Sequence, residues 1–184
     1  MAEAVEVRQD GSRLAVSRSW VPEAPVALEF NGLAYAVMMA TPANLADFAT
    51  GFALSEGLAG SADDVTDLAI AEVELGWIVR AGISGLGADQ LGERARARVA
   101  ESSCGLCGIE NLEAVARPLP PVPPHDPLDP AAIFAALEAL KSAQPLNHAT
   151  GAAHAAAFGD PAGAIHCLRE DSQQSKSWLR LPGT

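Results

Sequence analysis

The chain has only three cysteines, one tyrosine and few other aromatic residues, and it lacks a long apolar run. Three unevenly spaced thiols are too few for the disulfide framework of a small secreted domain. No segment of about 18 apolar residues is present, which argues against a transmembrane helix. The first ten residues are acidic and contain no apolar stretch, so no secretory signal is predicted. We therefore expect a cytoplasmic protein with reduced thiols.

Basic residues are also scarce. The 184 residues include 12 Lys and Arg against 23 Asp and Glu, for a net charge of −11. This charge repels phosphate backbones and anionic lipids, so we expect no nucleic-acid or membrane partner. Hydrophobic residues make up 49% of the chain and charged residues 19%, which is typical of a globular protein and excludes a wholly disordered one.

The first half of the chain combines strand patterns with one helix. Two β-type segments at 25–30 and 33–40 flank Asn31-Gly32, a dipeptide that favours a type I′ hairpin turn. Thr41-Pro42 is typical of an N-cap followed by the first helical residue, which predicts a helix at about 42–56. Further β-type segments lie at 65–73, 77–79 and 94–99, and a weaker one lies at 14–16.

A proline-rich segment divides the chain. Seven of the 13 prolines fall within 118–130, a density that helices and central strands do not tolerate. We predict an N-terminal lobe at 1–117, a linker at 118–128, a C-terminal lobe at 129–171 and an unpatterned tail at 172–184. The second lobe would contain a helix from Asp129-Pro130 to about residue 143 and two strands, at 149–158 and 164–168. The fold class is therefore α/β, with α+β as the alternative.

The strongest chemical motif is Cys104-Gly-Leu-Cys107-Gly108. Two thiols at this spacing can share a metal, form a disulfide or act in turn on a sulfur atom. A predicted helix at 109–116 would present its positive N-terminal end to a thiolate and so favour a low cysteine pKa.

Other interpretations of this motif remain open. A structural zinc site needs two more ligands, and the histidines and the third cysteine do not show the usual paired spacing. A thioredoxin-like redox pair would follow a clear βαβ pattern, which is absent, and plain buried cysteines beside a glycine turn are a further alternative. Zinc deaminase chemistry requires an H-x-E or C-x-E pair, and the chain contains neither.

Two further clusters contain candidate side chains. His154 follows Thr150-Gly151 among small residues, although a lone histidine is more often a core or surface residue than a catalyst. The triplet Arg169-Glu170-Asp171 is, taken alone, typical of a solvated strand end.

Six segments together resemble the FdhD/NarQ family of formate dehydrogenase accessory sulfurtransferases. They occur in the family order at residues 23–32, 38–42, 51–57, 104–108, 150–157 and 169–171. The resemblance implies a larger lobe similar to the cytidine deaminase fold, here incomplete. It also implies a carrier that takes persulfide sulfur from a cysteine desulfurase and delivers it to the molybdenum bis-guanine-dinucleotide cofactor of formate dehydrogenase.

The resemblance also implies roles for individual residues. Cys104 would carry the persulfide and Cys107 would be its partner thiol. Thr150, Gly151, His154 and Arg169 are the candidates for contacts with the molybdenum cofactor, which would be a substrate. No metal site and no tightly bound cofactor are expected, and a homodimer is compatible with this interpretation.

The similarity to the family pattern ends at Asp171. The family continues with Val-Gly-Arg-His-Asn, whereas this chain continues with Ser172-Gln-Gln-Ser-Lys-Ser-Trp178. We therefore expect the family's guanine-dinucleotide segment to be missing from this chain. The alternatives to a sulfurtransferase are a truncated, non-catalytic product and a metal-binding or partner-binding module that uses the two cysteines.

Overall fold

The computed structural model describes residues 2–87, 89–92, 121, 123–124 and 126–181. Several predicted features lie outside these residues. They are the strand at 94–99, the motif with Cys104 and Cys107, the helix at 109–116 and most of the proline-rich linker.

The described chain begins with a hairpin of strands β1 (Ala2–Val7) and β2 (Arg13–Arg18). The strands pair antiparallel with Val5 opposite Ala15, and Gly11 enters the connecting turn with φ +81°. The weak β-type pattern at 14–16 therefore marks a real strand.

The second sheet has four strands, β3 (Ala24–Phe30), β4 (Leu33–Ala40), β5 (Val65–Val73) and β6 (Gly76–Ile83). Their order is β4-β3-β6-β5, with β3 parallel to β6 and the other pairs antiparallel. Asn31 and Gly32 have φ values of 49° and 78°, as a type I′ turn requires, so the predicted hairpin is confirmed.

Helix α1 (Leu45–Ser55) covers this sheet and forms the core with it. Alternate residues of β3 point inward, and Phe30 stacks on Phe52 with ring centroids 6.2 Å apart. The prediction that this helix starts at Thr41-Pro42 is wrong. The N-cap is Asn44 in a left-handed conformation, and the Thr41 hydroxyl instead accepts a hydrogen bond from the Ser172 amide.

The C-terminal part contains helices α2 (Pro130–Ser142), α3 (Pro145–Thr150) and α4 (Gln174–Leu179) and strands β7 (His154–Gly159) and β8 (Ile165–Asp171). Strands β7 and β8 form an antiparallel hairpin with Ala156 opposite Arg169. The predicted helix from Asp129-Pro130 is confirmed, and the Asp129 carboxylate caps it by accepting the Ala131 amide at 2.9 Å.

Two predicted boundaries in this part are wrong. The strand predicted at 149–158 begins only at His154, because the preceding residues form α3. The strand predicted at 164–168 continues to Asp171. The tail, for which no element was predicted, contains α4.

The mixed α/β class is confirmed, but burial is uneven. Nearly all buried apolar side chains of the described residues lie in the four-stranded sheet, in α1 and in the segments that follow these elements. Within the same described part of the chain, α2 contributes no buried residue. None of the helices described is both long enough and apolar enough to cross a bilayer.

Candidate functional site

The candidate site is the end of the β7–β8 hairpin that lies nearest to α3. Cys104 and Cys107 lie outside the described residues, whereas Thr150, Gly151, His154 and Arg169 lie within them. His154 is the first residue of β7 and faces Asp171, the last residue of β8, in the strand register. Thr150 and Gly151 end α3 just before His154. The fold therefore gathers the predicted Thr150, Gly151, His154 and Arg169 around one hairpin.

The turn that contains Thr150 and Gly151 is shaped by its own hydrogen bonds. The Thr150 hydroxyl donates to the Leu146 carbonyl at 2.8 Å. Gly151 adopts φ +67° and its amide donates to the Asn147 carbonyl, which ends α3. The Asn147 side-chain oxygen then accepts the Ala153 amide at 3.3 Å. These bonds define the backbone path that leads into His154.

Glu170 fixes the other end of α3. Its carboxylate accepts the amide of Leu146 at 3.0 Å and the amide of Asn147 at 2.8 Å. The first amides of a helix have no partner within the helix, and the helix dipole stabilises a negative charge at that end. Glu170 is thus a helix cap rather than a solvated strand end. Pro145 at the first helical position was the local signal that could have revealed α3.

His154 has an exposed side chain and small neighbours. The residues next to it along the chain are Ala153 and Ala155, so little bulk shields the imidazole from solvent or from a ligand. No cluster of three or more histidine, cysteine, aspartate or glutamate side chains occurs among the residues that the structure describes. His154 can therefore offer a donor or an acceptor to a ligand, but it belongs to no metal-binding group in this part of the chain.

Arg169 forms an ion pair with Asp47 of α1. Its Nε and Nη2 atoms lie 2.8 and 2.7 Å from Asp47 Oδ2, and its Nη1 donates to the Leu168 carbonyl at 2.9 Å. The side chains of Arg169 and Asp47 are 24% and 33% exposed. An anion that approaches Arg169 must therefore compete with the Asp47 carboxylate.

Asp171 and Arg180 form a second ion pair that is fully buried. Asp171 Oδ2 also accepts the Thr41 amide at 3.1 Å, and Oδ1 accepts the Gln173 amide at 2.9 Å. Arg180 donates to the carbonyls of Thr41 and Ala43. Its guanidinium carbon lies 4.9 Å from the centroid of the Phe48 ring. Burial lowers the pKa of Arg180, and the Asp171 carboxylate opposes that shift.

The two ion pairs are neighbours, because Arg169 and Asp171 lie two residues apart on β8 and Arg180 donates to the Ala43 carbonyl just before α1, the helix that carries Asp47. We call Asp47, Arg169, Asp171 and Arg180 the charge quartet. Two carboxylates balance two guanidinium groups, so the quartet offers no excess positive charge to a phosphate. Sequence patterns identified neither Asp47 nor Arg180, because Asp47 is 122 residues from its partner Arg169 and Arg180 lies in the unpatterned tail.

A largely apolar groove lies beside the hairpin. It has a volume of about 350 Å³ and is bounded by α2, β7, β8 and α4. Its lining includes Leu128, Ile133, Leu137, Ile165 and Trp178, and Asp160 is the one charged residue among the described residues that line it. The groove can provide apolar contacts.

Comparison with known proteins adds a family match and a fold match. The sequence model of the FdhD/NarQ family matches residues 21–172. The sulfur carrier protein FdhD of Bordetella parapertussis is 42% identical over 161 residues, which is 88% of this chain and 58% of that protein. The protein of the same name from Xanthomonas euvesicatoria is 41% identical over 177 residues, which is 96% of this chain and 63% of that protein.

A crystal structure of a protein from Desulfotalea psychrophila, described as a formate dehydrogenase accessory protein, has the same fold. The TM-score is 0.60 at 17% identity, and the match covers 98% of this chain and 64% of that one. The chain thus spans about 58% to 64% of the length of these relatives.

Proposed function

The chain belongs to the FdhD/NarQ family, and on that basis we propose that it carries sulfur during the maturation of formate dehydrogenase. The observation that carries the proposal is the family match over 21–172, because that range contains both Cys104 and Cys107 as well as the β7–β8 hairpin. Relatives about 40% identical to this chain are named sulfur carrier proteins, which supports the same role.

The proposed loading step is an exchange at sulfur. The Cys104 thiolate attacks the outer sulfur of a persulfide on a cysteine desulfurase. The sulfur–sulfur bond of the donor breaks, the donor cysteine leaves as a thiolate, and Cys104 becomes the persulfide. The step needs an accessible thiolate, and the glycines at 105 and 108 favour such access.

The proposed release step uses Cys107. Its thiolate attacks the inner sulfur of the Cys104 persulfide, so that a Cys104–Cys107 disulfide forms and the outer sulfur leaves as sulfide toward the acceptor. The Cys107 sulfur is oxidised from thiolate to disulfide as the carried outer sulfur is reduced to sulfide. A thiol reductant then restores both cysteines.

The proposed acceptor is the molybdenum bis-guanine-dinucleotide cofactor, bound as a substrate. The common location of Thr150, Gly151, His154 and Arg169 at one hairpin supports their assignment to this contact. Arg169 is the charged member of the set, and Asp47 already neutralises it. We therefore infer that the described residues bind phosphate groups weakly, and that the exposed imidazole of His154 is the more available polar group.

Sulfur loading tests the proposal directly. The full chain is incubated with a cysteine desulfurase and cysteine, and mass spectrometry locates the added sulfur. We expect it on Cys104, and Cys104→Ala should lose it. Cys167→Ala is the matched control, since Cys167 is a free, half-buried thiol on β8 outside the motif. Loading of Cys104→Ala at the parental rate would show that Cys104 is not the carrier.

Cys107→Ser separates loading from release. This variant should accept sulfur normally but transfer it slowly to an acceptor, because it lacks the thiol that attacks the inner sulfur. Normal transfer from the loaded variant would exclude this role for Cys107.

The alternative functions predict different results. A truncated, non-catalytic product would not load sulfur at any cysteine. A metal-binding module would purify with zinc or iron, which elemental analysis detects, and would lose that metal in both Cys104→Ala and Cys107→Ser.

A further inference from the structure

Residues 172–181, which we call the C-terminal strap, dock onto the rest of the fold although the family match ends at residue 172. Helix α4 of the strap lies between α1 on one side and the β7–β8 hairpin on the other. The strap therefore connects the four-stranded sheet, through α1, with the hairpin that carries His154 and Arg169.

The strap approaches α1 at Gly51, where no other residue would fit. A Cβ atom built on Gly51 would lie 1.6 Å from the carbonyl oxygen of Leu179. That distance is far inside van der Waals contact, so any side chain at residue 51 must displace the strap or the helix. Ser177 and Arg180, on either side of Leu179, are fully buried.

Polar contacts hold both ends of the strap. At its start, the Ser172 amide donates to the Thr41 hydroxyl at 3.1 Å. The Ser172 hydroxyl and the Gln173 side-chain amide donate to the Glu23 carboxylate at 2.9 and 3.1 Å. At its end, the Arg180 guanidinium donates to Asp171 and to two carbonyls that precede α1.

A helix of six residues is not stable alone in water, because the cost of the first turn is not recovered over so short a length. Folding of α4 and docking of the strap are therefore a single event with two states, one docked and helical and one undocked and unfolded. Undocking would break the buried Asp171–Arg180 pair and the bonds from Arg180 to the Thr41 and Ala43 carbonyls, contacts that the docked state alone provides.

We propose that residues 172–181 act as a latched strap, with Asp171 and Arg180 as the latch, and that docking of the strap fixes the β7–β8 hairpin against α1. When the strap is released, the Arg169–Asp47 pair remains as a partly exposed link between hairpin and helix. The candidate residues of the hairpin should then become mobile relative to the sheet.

Gly51→Ala tests docking, because helix propensity and the contact with Leu179 predict opposite changes in the hydrogen exchange of the strap. Alanine ordinarily stabilises a helix interior relative to glycine. Here the added methyl group collides with Leu179, so the substitution should release the strap. We expect hydrogen exchange of the full chain to accelerate about tenfold or more at the amides of α4, β7 and β8, while the core strands β3 and β6 keep their protection.

Gly87→Ala is the matched control, because a Cβ there meets nothing within 4 Å and the residue does not require a positive φ. It should leave exchange in the strap unchanged. Unchanged or slower strap exchange in Gly51→Ala would overturn the proposal, and so would faster exchange in α4 with β7 and β8 unaffected.

The latch provides a second test that does not alter α1. Arg180→Met should raise strap and hairpin exchange about tenfold or more, whereas Lys141→Met should not, since Lys141 pairs with Glu138 on an exposed face of α2. Adding Asp171→Asn to Arg180→Met should reverse part of the loss, because the unpaired buried charge is removed. Equal exchange in Arg180→Met and Lys141→Met would refute the latch.

Discussion

Replacing Asp47 with asparagine should strengthen the binding of a phosphate-bearing ligand at Arg169. In the structure the Arg169 guanidinium is held by Asp47, with Nη2 and Oδ2 only 2.7 Å apart. The asparagine side chain would keep the size of the aspartate but not its charge. The charge quartet would then change from neutral to a net charge of about +1, and the incoming phosphate would no longer displace a carboxylate.

The size of the expected gain in phosphate affinity follows from the solvent exposure of the Arg169–Asp47 pair. Because the two side chains are 24% and 33% exposed, solvent screens their attraction and the full Coulomb energy of a buried pair does not apply. Ion pairs of this kind contribute up to about 1 kcal/mol. Release from that competition corresponds to a Kd about fivefold lower for the phosphate ligand.

Isothermal titration calorimetry with GDP as the probe measures this effect at low and high salt. Asp63→Asn is the control, because Asp63 is exposed on the short helical turn Ala62–Asp64 and its replacement changes the net charge equally. The gain should appear only in Asp47→Asn and should shrink at high salt. Equal Kd values for the two variants would show that Asp47 does not compete for the phosphate at Arg169.

Two further predictions concern stability. Phe30→Ala should lower the free energy of unfolding, measured by urea titration, by about 3–5 kcal/mol, because the ring is fully buried against Tyr35 and Phe52. Phe134→Ala removes an exposed ring of α2 and should change that free energy by less than about 0.5 kcal/mol. Equal losses of unfolding free energy in the two variants would show that Phe30 does not belong to the stabilising core. Hydrogen bonds from the Ala164 amide and from His166 lower the pKa of Asp160 below its ordinary value of 3.8. Its contribution is therefore complete above pH 3.8 and is lost as the pH falls through the lowered pKa. Acid should therefore lower the amide protection factors of the 160–164 turn, which are corrected for intrinsic exchange, in the parent but not in Asp160→Asn. An equal loss of protection in both would contradict this assignment.

Elements that are determined by neighbouring residues could be predicted from the sequence. Asn31-Gly32 specifies its turn through the backbone angles of two residues, and Asp129-Pro130 starts α2 through a cap within three residues. Helices α3 and α4 were missed because six residues are too short for a hydrophobic period. Each depends on distant contacts, α3 on the Glu170 carboxylate and α4 on the space above Gly51.

The same distinction applies to the candidate site. The motifs predicted Thr150, Gly151, His154 and Arg169, and the fold brings them to one hairpin. The residues that set their electrostatics were not predictable, because Asp47 is 122 residues from Arg169 and nothing in the local sequence links them. The roles of Cys104 and Cys107 remain predictions from the motif and the family.

The position of Arg180 has a consequence for the order of folding during synthesis. Its bond to the Thr41 carbonyl spans 139 residues, whereas the four-stranded sheet is complete in sequence by Ile83. At about 5–20 residues per second, a ribosome needs roughly 5–20 s to translate from Ile83 to Arg180. Throughout that interval the sheet and α1 can fold. The strap does not yet cover the carbonyls of Thr41 and Ala43 or the backbone at Gly51. A nascent chain therefore exposes this part of α1 to chaperones and to neighbouring chains until α4 and Arg180 have been synthesised.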